Sequence, residues 1–177
     1  MKAKTFTLTL LSTIGLFLTV VSAMCYCYGF RFNTSISYPT GLYRLAGTSA
    51  IYRKGDLVLF CPPDNTIMQT ALKRGYINPG TCQGGFTPVI KKIMATGGDV
   101  VAFDRQVSIN AQPVPQARML PTDSKDRPLP SPAPNQLAPD TYLMLSDHRP
   151  VVSFDSRYYG PVPAKNVIGH IHPVFTW

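Results

Sequence analysis

One stretch of the sequence combines a candidate nucleophile with residues that fix the backbone beside it. Ser37 is followed by Pro39 and Gly41, and Ser35 lies two residues before it. Proline fixes φ and glycine permits a sharp bend, so the chain behind Ser37 is constrained. The Ser35 hydroxyl is near enough in sequence to act as a donor. Because Ser-x-Pro-x-Gly also occurs in ordinary turns, this stretch alone predicts either a structural turn or a serine nucleophile.

A serine nucleophile needs a base, and histidine is the first residue type to consider. The chain has three histidines, His148, His170 and His172. His170 and His172 alternate along a predicted terminal strand, and His148 lies in a predicted loop. A Ser-His-Asp site stays an alternative, although the Gly-x-Ser-x-Gly and Ser-x-x-Lys motifs are absent. Lysine is the other candidate base.

Two lysines lie in a segment that is otherwise apolar. Residues 88–95 are rich in branched side chains and predict a strand, with Lys91 on one face and Lys92 on the other. Both have apolar neighbours, so the alternation does not decide which one is buried, and a strand lysine is commonly a solvated edge charge. Burial lowers a lysine pKa from about 10.4 by up to 3–5 units, which would supply a base near neutral pH.

Composition favours strands joined by turns over a helical bundle. All nine acidic residues are aspartate, and the 177 residues include 17 prolines and 13 glycines. The net charge is +8, but the basic residues form no run and no nucleic-acid motif. We therefore expect a basic face beside anionic lipid and no nucleic-acid partner. With no glutamate and no Cys/His grouping of zinc spacing, we predict no catalytic metal and no cofactor.

The N-terminal segment predicts a membrane span. Residues 5–30 carry no charge, and as a helix they would reach ~39 Å, more than the ~30 Å hydrocarbon core. Lys2 and Lys4 precede the segment, so the positive-inside rule places the N-terminus in the cytoplasm and exports the rest.

The predicted organisation is therefore a cytoplasmic N-terminus and retained anchor over residues 1–30, followed by one exported domain over residues 31–177. A signal peptide cleaved after Ala23 is the alternative, because Val21-Ser22-Ala23 has the small-residue pattern of a cleavage site. The apolar run continues past Ala23, which favours a retained anchor.

Four cysteines divide between the membrane boundary and the exported part. Cys61 and Cys82 lie where an oxidising compartment permits a disulfide, which would close a loop of about 20 residues and contribute on the order of 3 kcal/mol. Two separate buried thiols are the alternative. Cys25 and Cys27 are interpreted as membrane-edge residues, with lipidation or pairing between chains left open.

Strand patterns recur through the exported part. Strands are predicted at residues 56–60, 88–95, 100–109 (as a hairpin), 141–145 and from 167 onward. One helix is predicted from Ile67 to Arg74, capped by Asn65 or Thr66 and stopped by Gly75. Prolines recur between residues 113 and 139, which predicts a surface excursion without regular structure.

Taken in order, three segments resemble the sequence boxes of type I signal peptidases of the Ser/Lys class. They are Ser37-Tyr38-Pro39-Thr40-Gly41, Val89-Ile90-Lys91-Lys92-Ile93 with Gly97-Gly98-Asp99, and Ser153 to Val162. Within that family the chain resembles the TraF-type maturation peptidases of conjugative plasmids. That narrower resemblance rests on Asn33 to Tyr43, Leu59-Phe60-Cys61-Pro62-Pro63 and the ending Pro173 to Trp177.

The resemblance implies roles for individual residues. It makes Ser37 the nucleophile and Lys91 the general base, with Lys92 in the neighbouring basic position. Ser35 matches the serine whose hydroxyl joins the Ser37 N–H in the oxyanion hole, a donor typically worth about 3 kcal/mol of barrier lowering. Ser153 matches the serine that hydrogen-bonds and orients the lysine.

Asp155 and Arg157 match an acidic and a basic residue that hold the site together. Asp155 is expected to pair with Arg157 or with Lys92. A purely structural role for Asp155 and a direct catalytic one both stay open.

The chain departs from the common signal peptidase pattern at two places. Only Tyr38 separates Ser37 from Pro39 where Ser-Met-x-Pro is common, and Ser146-Asp147-His148 replaces Gly-Asp-Asn. Both departures favour the TraF type over a housekeeping peptidase.

The fold implied is mainly β, with signal-peptidase-like coiled antiparallel sheets, one N-terminal transmembrane helix and a small helical insertion. The implied activity is that of a serine endopeptidase anchored in the bacterial inner membrane by a single pass, with its catalytic domain in the periplasm. Its expected partners are a pilin precursor or another exported preprotein, membrane lipid and other components of conjugation or type IV secretion. The alternatives are a general signal peptidase and a non-catalytic scaffold of a secretion or pilus complex.

Overall fold

Antiparallel strands make up most of the folded chain in a computed structural model. The structure describes residues 2–49 and 51–177, and for residues 2–9 it describes the backbone alone. The strands are β1 (Phe30–Asn33), β2 (Gly41–Leu45), β3 (Leu57–Phe60), β4 (Val89–Thr96), β5 (Val100–Phe103), β6 (Gln106–Ile109), β7 (Gln112–Arg118), β8 (Asn135–Gln136), β9 (Thr141–Leu145), β10 (Val162–Pro163) and β11 (Val167–Thr176). The helices are α1 (Lys2–Cys27), α2 (Thr66–Arg74) and α3 (Ser156–Tyr159), with short 3₁₀ turns at Gln83–Gly85, Pro150–Val152 and Ala164–Asn166. The predicted mainly β fold is confirmed.

Helix α1 is long and apolar enough to cross a membrane. Its stretch Leu10–Cys27 has a mean hydropathy of 1.9, and none of it is buried against the rest of the protein. An unpacked apolar helix of this length fits a single-pass membrane anchor. The side chains of Lys2 and Lys4 lie outside those that the structure describes, so the orientation of the anchor stays a prediction.

The strands form two separate sheets. Seven strands form one sheet in the order β1-β2-β11-β3-β4-β9-β10, and four form the other in the order β7-β6-β5-β8. Strand β4 lies between β3 and β9, and its two faces contribute to different core clusters, Ile93 to one and Ile90 to another. A lysine on this strand can therefore be enclosed by apolar side chains.

The predicted helical insertion is confirmed as α2. Asn65 caps it by accepting from the N–H of Met68 at 2.9 Å, and Gly75 ends it with φ 76°, as a left-handed cap requires. Cys61 and Cys82 form the disulfide that the sequence allows, with their Cα atoms 5.5 Å apart. The bond closes the segment that contains α2 against the end of β3.

The prediction of an irregular excursion over residues 113–139 is wrong in part. Strand β7 pairs with β6, and the short β8 pairs with β5. Prolines are tolerated in β7 because it is the edge strand of its sheet, where one side of the backbone needs no partner. Buried Val114 and Ala117 hold β7 in place.

Candidate active site

The loop that carries Ser37 connects β1 and β2. Asn33 pairs with Gly41 across this hairpin, so residues 34–40 form the connection. Gly41 has φ +148°, and a Cβ on it would lie 2.2 Å from the carbonyl oxygen of Phe175 in β11. Only glycine permits this approach, which accounts for Gly41 in the pattern behind the serine.

Asn33 holds the loop together. Its Nδ2 donates to the carbonyl oxygens of Ser35, Tyr38 and Pro39 at 3.0–3.1 Å, and its Oδ1 accepts from the Ser35 N–H at 3.0 Å. One buried side chain thus satisfies four backbone groups of an irregular loop. Sequence reasoning assigned Asn33 no role, although an asparagine two residues before Ser35 is the signal of an Asx turn.

Ser37 and Lys91 meet in a buried contact. The Nζ atom of Lys91 lies 2.7 Å from the Oγ atom of Ser37, and it also donates to the carbonyl oxygen of Ile90 at 3.1 Å. Ser37 is 6% exposed and Lys91 is 3% exposed. A neutral amine at this distance can accept the hydroxyl proton directly.

The surroundings of Lys91 favour its neutral form. Burial lowers the pKa of Lys91 from 10.5 to about 8, the carboxylate of Asp155 acts in the opposite direction, and the guanidinium of Arg157 lowers the pKa further. A substantial fraction of the lysine is therefore unprotonated at mildly alkaline pH. The site can supply a base without a histidine.

Ser35 lies on the more exposed side of Ser37. Its Oγ atom is 2.8 Å from Ser37 Oγ, and it accepts from the Ser37 N–H at 3.3 Å. Ser35 is exposed although Ser37 is buried. The Ser35 O–H and the Ser37 N–H therefore lie side by side next to the attacking oxygen, where a tetrahedral intermediate would develop its negative charge.

Asp155 and Arg157 form a buried ion pair. Arg157 Nε donates to Asp155 Oδ1 at 2.8 Å and Nη2 donates to Oδ2 at 3.0 Å, and both residues are at most 1% exposed. The remaining guanidinium donors bind the carbonyl oxygens of Arg118, Pro150 and Ser153. Of the two partners predicted for Asp155, the structure shows Arg157.

Lys92 and Ser153 do not make the contacts predicted for them. Lys92 pairs with Asp147 and not with Asp155, because alternation along β4 turns it to the opposite face from Lys91. Among the described residues, the buried hydroxyl of Ser153 has no hydrogen-bond partner, so it makes no bond to Lys91. Lys91 bonds instead to Ser37 and within its own strand. Ser153 nevertheless lines the same groove as Lys91.

The histidines take other roles. His170 pairs with Asp56 at 2.9 Å, His148 lies in the loop after β9, and His172 is exposed on β11. None of the hydrogen bonds in the described part of the chain joins a histidine to Ser37. The Ser-His-Asp alternative therefore has no geometric support here.

A groove of about 780 Å³ opens over Ser37 and Lys91. Its lining includes residues of α2 and the disulfide-closed segment, of the Ser37 loop, and of the chain from the end of β7 to α3. The apolar lining includes Met68, Ile77, Val89, Leu120, Val151 and Phe154. A groove lined largely by apolar side chains, with Ser37 and Lys91 among its polar groups, can hold a peptide segment.

Comparison with known families identifies the family of this chain. The sequence model of the signal peptidase family, peptidase S26, matches residues 3–177. The chain belongs to the signal peptidase family. This family implies a serine peptidase.

Several relatives of the chain are named as conjugal or plasmid transfer proteins. The chain is 37% identical over 150 residues to a probable conjugal transfer protein TraF of Sinorhizobium fredii, covering 84% of this chain and 78% of that one. It is 35% identical to the conjugal transfer protein TraF of Agrobacterium fabrum, over 94% of both chains, and 38% identical to a plasmid transfer protein TraF of Escherichia coli, over 92% of both. Among solved structures, a signal peptidase I of Enterococcus faecalis aligns with a TM-score of 0.37 and 19% identity, covering 68% of this chain and 96% of that one.

Two further residues near this signal peptidase site were missed from the sequence. The hydroxyl of Ser146 donates to the carbonyl oxygen of Ser37 at 2.6 Å, and Asp147 accepts from both the Tyr38 hydroxyl and Lys92. The Ser146–Ser37 and Asp147–Tyr38 contacts join positions 109 residues apart, and no local pattern reports them.

Proposed function

We propose that this chain is a membrane-anchored serine peptidase that uses Ser37 and Lys91 as a catalytic dyad and processes a pilin precursor for conjugative transfer. The observation that carries the proposal is the 2.7 Å contact between Lys91 Nζ and Ser37 Oγ, made by a lysine that is 3% exposed. A solvated structural lysine would keep its charge and would have no reason to meet a serine at the floor of a groove.

The chemistry is acyl transfer. Neutral Lys91 takes the Ser37 proton as Oγ bonds to the carbonyl carbon of the scissile peptide, and the oxyanion is held by the Ser37 N–H and the Ser35 hydroxyl. The lysine then protonates the leaving amine as the peptide C–N bond breaks, which leaves an acyl-enzyme. Either water attacks this ester and hydrolyses it, or the amine at the pilin's own N-terminus attacks it and closes a ring.

The substrate class rests on the relatives and on the two departures from the common pattern. The relatives are named as conjugal or plasmid transfer proteins and match almost the whole chain. The replacements at Tyr38 and at residues 146–148 lie beside the nucleophile, where a specialised peptidase would differ from a general one. Other components of conjugation or type IV secretion are the partners that such a role requires.

The location follows from the anchor. Helix α1 would span the bacterial inner membrane once, with residues 31–177 in the periplasm, where the Cys61–Cys82 disulfide is stable. Anchoring keeps Ser37 near the surface at which precursor cleavage sites emerge, so enzyme and substrate meet at a high effective concentration.

The test is co-expression of the full chain with the pilin precursor of a conjugation system, followed by mass spectrometry of the pilin. The wild type should yield a trimmed product, linear or short of one water when ring-closed, and Ser37→Ala and Lys91→Ala should leave the precursor uncut. Processing that survives both variants would overturn the dyad and leave a scaffold. Cleavage of an unrelated exported preprotein at a similar rate would instead identify a general signal peptidase.

A further inference from the structure

Two consecutive residues of the loop after β9 form hydrogen bonds with the loop that carries Ser37. Ser146 Oγ donates to the carbonyl oxygen of Ser37 at 2.6 Å, and the Tyr38 hydroxyl donates to the carboxylate of Asp147. Ser146 and Tyr38 are 3% and 6% exposed, so the Ser146–Ser37 bond is buried, whereas the Asp147 carboxylate lies at the protein surface. The Ser146 oxygen also accepts from the N–H of Arg149 at 3.2 Å, which fixes the direction of its hydroxyl.

Asp147 connects the Ser37 loop to β4, the strand that carries Lys91. One of its oxygens accepts from the Tyr38 hydroxyl and the other from Lys92 Nζ. Tyr38 directly follows the nucleophile and Lys92 directly follows Lys91. A single carboxylate is therefore bonded to the next residue after each member of the dyad.

The two contacts constrain different parts of Ser37. A fixed carbonyl oxygen sets ψ of Ser37, and a fixed Tyr38 side chain prevents the following peptide from rotating. Because a side chain leaves the backbone in a direction set by both flanking peptide planes, these bonds limit where Ser37 Oγ can point. The 2.7 Å distance to Lys91 Nζ is the quantity that they control.

We propose that Tyr38 and Ser146 are positioning residues that, with Asp147 as the bridge to Lys92, hold Ser37 Oγ in line with Lys91. The inference rests on the proposed Ser37–Lys91 dyad and adds two hydroxyl groups to it. They fall at the two places where the sequence departs from the common signal peptidase pattern. Tyr38 and residues 146–147 are in contact, so the two departures act together and are not independent changes.

The hydrogen bond between Tyr38 and Asp147 persists throughout the pH range in which Lys91 titrates. Burial, reinforced by Asp147, keeps the pKa of Tyr38 far above its usual value of 10.0, so the hydroxyl stays a donor. Burial acts to raise the pKa of Asp147, but hydrogen bonds from Lys92 and Tyr38 outweigh it and lower that pKa, so the carboxylate stays an acceptor. A lower rate in Tyr38→Phe or Ser146→Ala would therefore report a change in the position of Ser37 and not a change in ionisation.

The experiment uses the full chain in detergent and the p-nitrophenyl ester of N-acetylalanine as the probe. Ser37 Oγ bonds to the ester carbon, the bond to p-nitrophenolate breaks, and Lys91 takes the serine proton. The burst amplitude counts competent sites, the burst rate reports acylation at each site, and mass spectrometry identifies the acylated residue. The variants are Tyr38→Phe and Ser146→Ala, and Tyr52→Phe is the matched control, because Tyr52 is equally buried but its hydroxyl binds the N–H of Ser49.

Tyr38→Phe and Ser146→Ala should each keep the full burst amplitude and lose about tenfold in burst rate, as small displacements of reacting groups do, while Tyr52→Phe keeps both. A smaller amplitude with an unchanged rate per site would mean that the hydroxyls only support folding, and it would overturn the proposal. A shifted pH midpoint would also overturn it, because the effect would then act through the charge of Lys91. Equal bursts from wild type and Ser37→Ala would instead show that the dyad itself is wrong.

Discussion

The protonation state of Lys91 sets the pH range in which the proposed site works. Protonated lysine cannot accept the Ser37 proton, so activity should be absent well below the pKa of about 8, rise through it and level off above it. Initial rates of precursor cleavage between about pH 6 and about pH 10 test this. His170→Gln, which removes a side chain paired with Asp56, should leave the midpoint unchanged. A midpoint near 6.5 that moves in this variant would indicate a histidine base.

Burying Lys91 should also cost stability, in a pH window that can be stated. The folded chain holds the lysine at a pKa of about 8 and the unfolded chain at 10.5, so the unfolded state binds more protons between these values. Wild-type stability should therefore rise with pH through this window. At about 1.4 kcal/mol per pH unit, Lys91→Met should gain about 3 kcal/mol below pH 8 and lose that advantage above 10.5.

Denaturant unfolding of both proteins at several pH values measures the difference. Lys92→Met is the control for replacing a lysine of the same strand by methionine, since Lys92 is a third exposed and pairs with Asp147. A constant difference between Lys91→Met and wild type at every pH would assign the gain to packing alone.

Asp155 has a structural and an electrostatic effect, and one substitution separates them. Asp155→Asn leaves a buried guanidinium unpaired, so the free energy of unfolding should fall by about 3–5 kcal/mol. Because the Asp155 carboxylate raises the pKa of Lys91, its loss should also move the pH midpoint of activity below 8. Chemical unfolding and a pH profile give the two readouts, and a fall in stability with a fixed midpoint would leave Asp155 a structural residue only.

The sequence identified the catalytic candidates better than it identified their support. Alternation along β4 could not choose between Lys91 and Lys92, because both faces of this interior strand are packed, and the family resemblance made the choice. It also gave Asp155 two possible partners. The contacts of Ser146 and Asp147 depend on how two loops distant in sequence meet, which residue types and spacing do not encode.

At the scale of elements, the Cys61–Cys82 disulfide should affect both the stability of the fold and the shape of the groove beside Ser37. It closes a loop with a sequence separation of 21 that contains α2, and Met68 of α2 lines the groove. Replacing both cysteines by alanine should lower the free energy of unfolding by about 3 kcal/mol and raise KM more than it lowers kcat, because the groove wall loosens while Ser37 stays fixed by Asn33.

Thermal unfolding and cleavage kinetics measure these effects. Cys25→Ala with Cys27→Ala is the matched control, since both thiols are free and exposed on α1. An equal loss of stability in this control, or a kcat effect that exceeds the KM effect, would contradict the assignment of the disulfide to the groove wall.

Elements with strong local signals were predicted well, and those set by their neighbours were not. Helix α2 has an asparagine cap, a glycine stop and an amphipathic pattern, and it forms where expected. Strand β7 was missed because its prolines suggest a loop, and only its place at a sheet edge makes them compatible with pairing. Short α3 was also missed, since its residues are ordered by the buried Asp155–Arg157 pair more than by helix propensity.

At the scale of the whole molecule, aromatic residues link the nucleophile loop to the anchor. Phe32, Phe175 and Trp177 are each more than 60% exposed, and the rings of Phe32 and Phe175 lie 5.8 Å from that of Trp177. Strand β1, which carries Phe32, begins shortly after α1 ends. The N–H of Trp177 donates to the carbonyl oxygen of Thr40 at 3.0 Å, so this cluster is bonded directly to the loop that holds Ser37.

Exposed aromatic rings beside a membrane anchor are suited to the lipid interface, so Trp177 should lie among the headgroups and hold the active site at the membrane surface. Trp177 is the chain's single tryptophan, so fluorescence of the full chain in vesicles reports on it alone. We expect a blue-shifted emission that lipids brominated near their carbonyl groups quench. In the control, Trp177→Phe with Val100→Trp moves the probe to an exposed position on the second sheet, where quenching should be lost. If Trp177 emits as a water-exposed indole and resists quenching, the domain stands away from the bilayer on its helix, and Ser37 meets precursors that have already left the membrane.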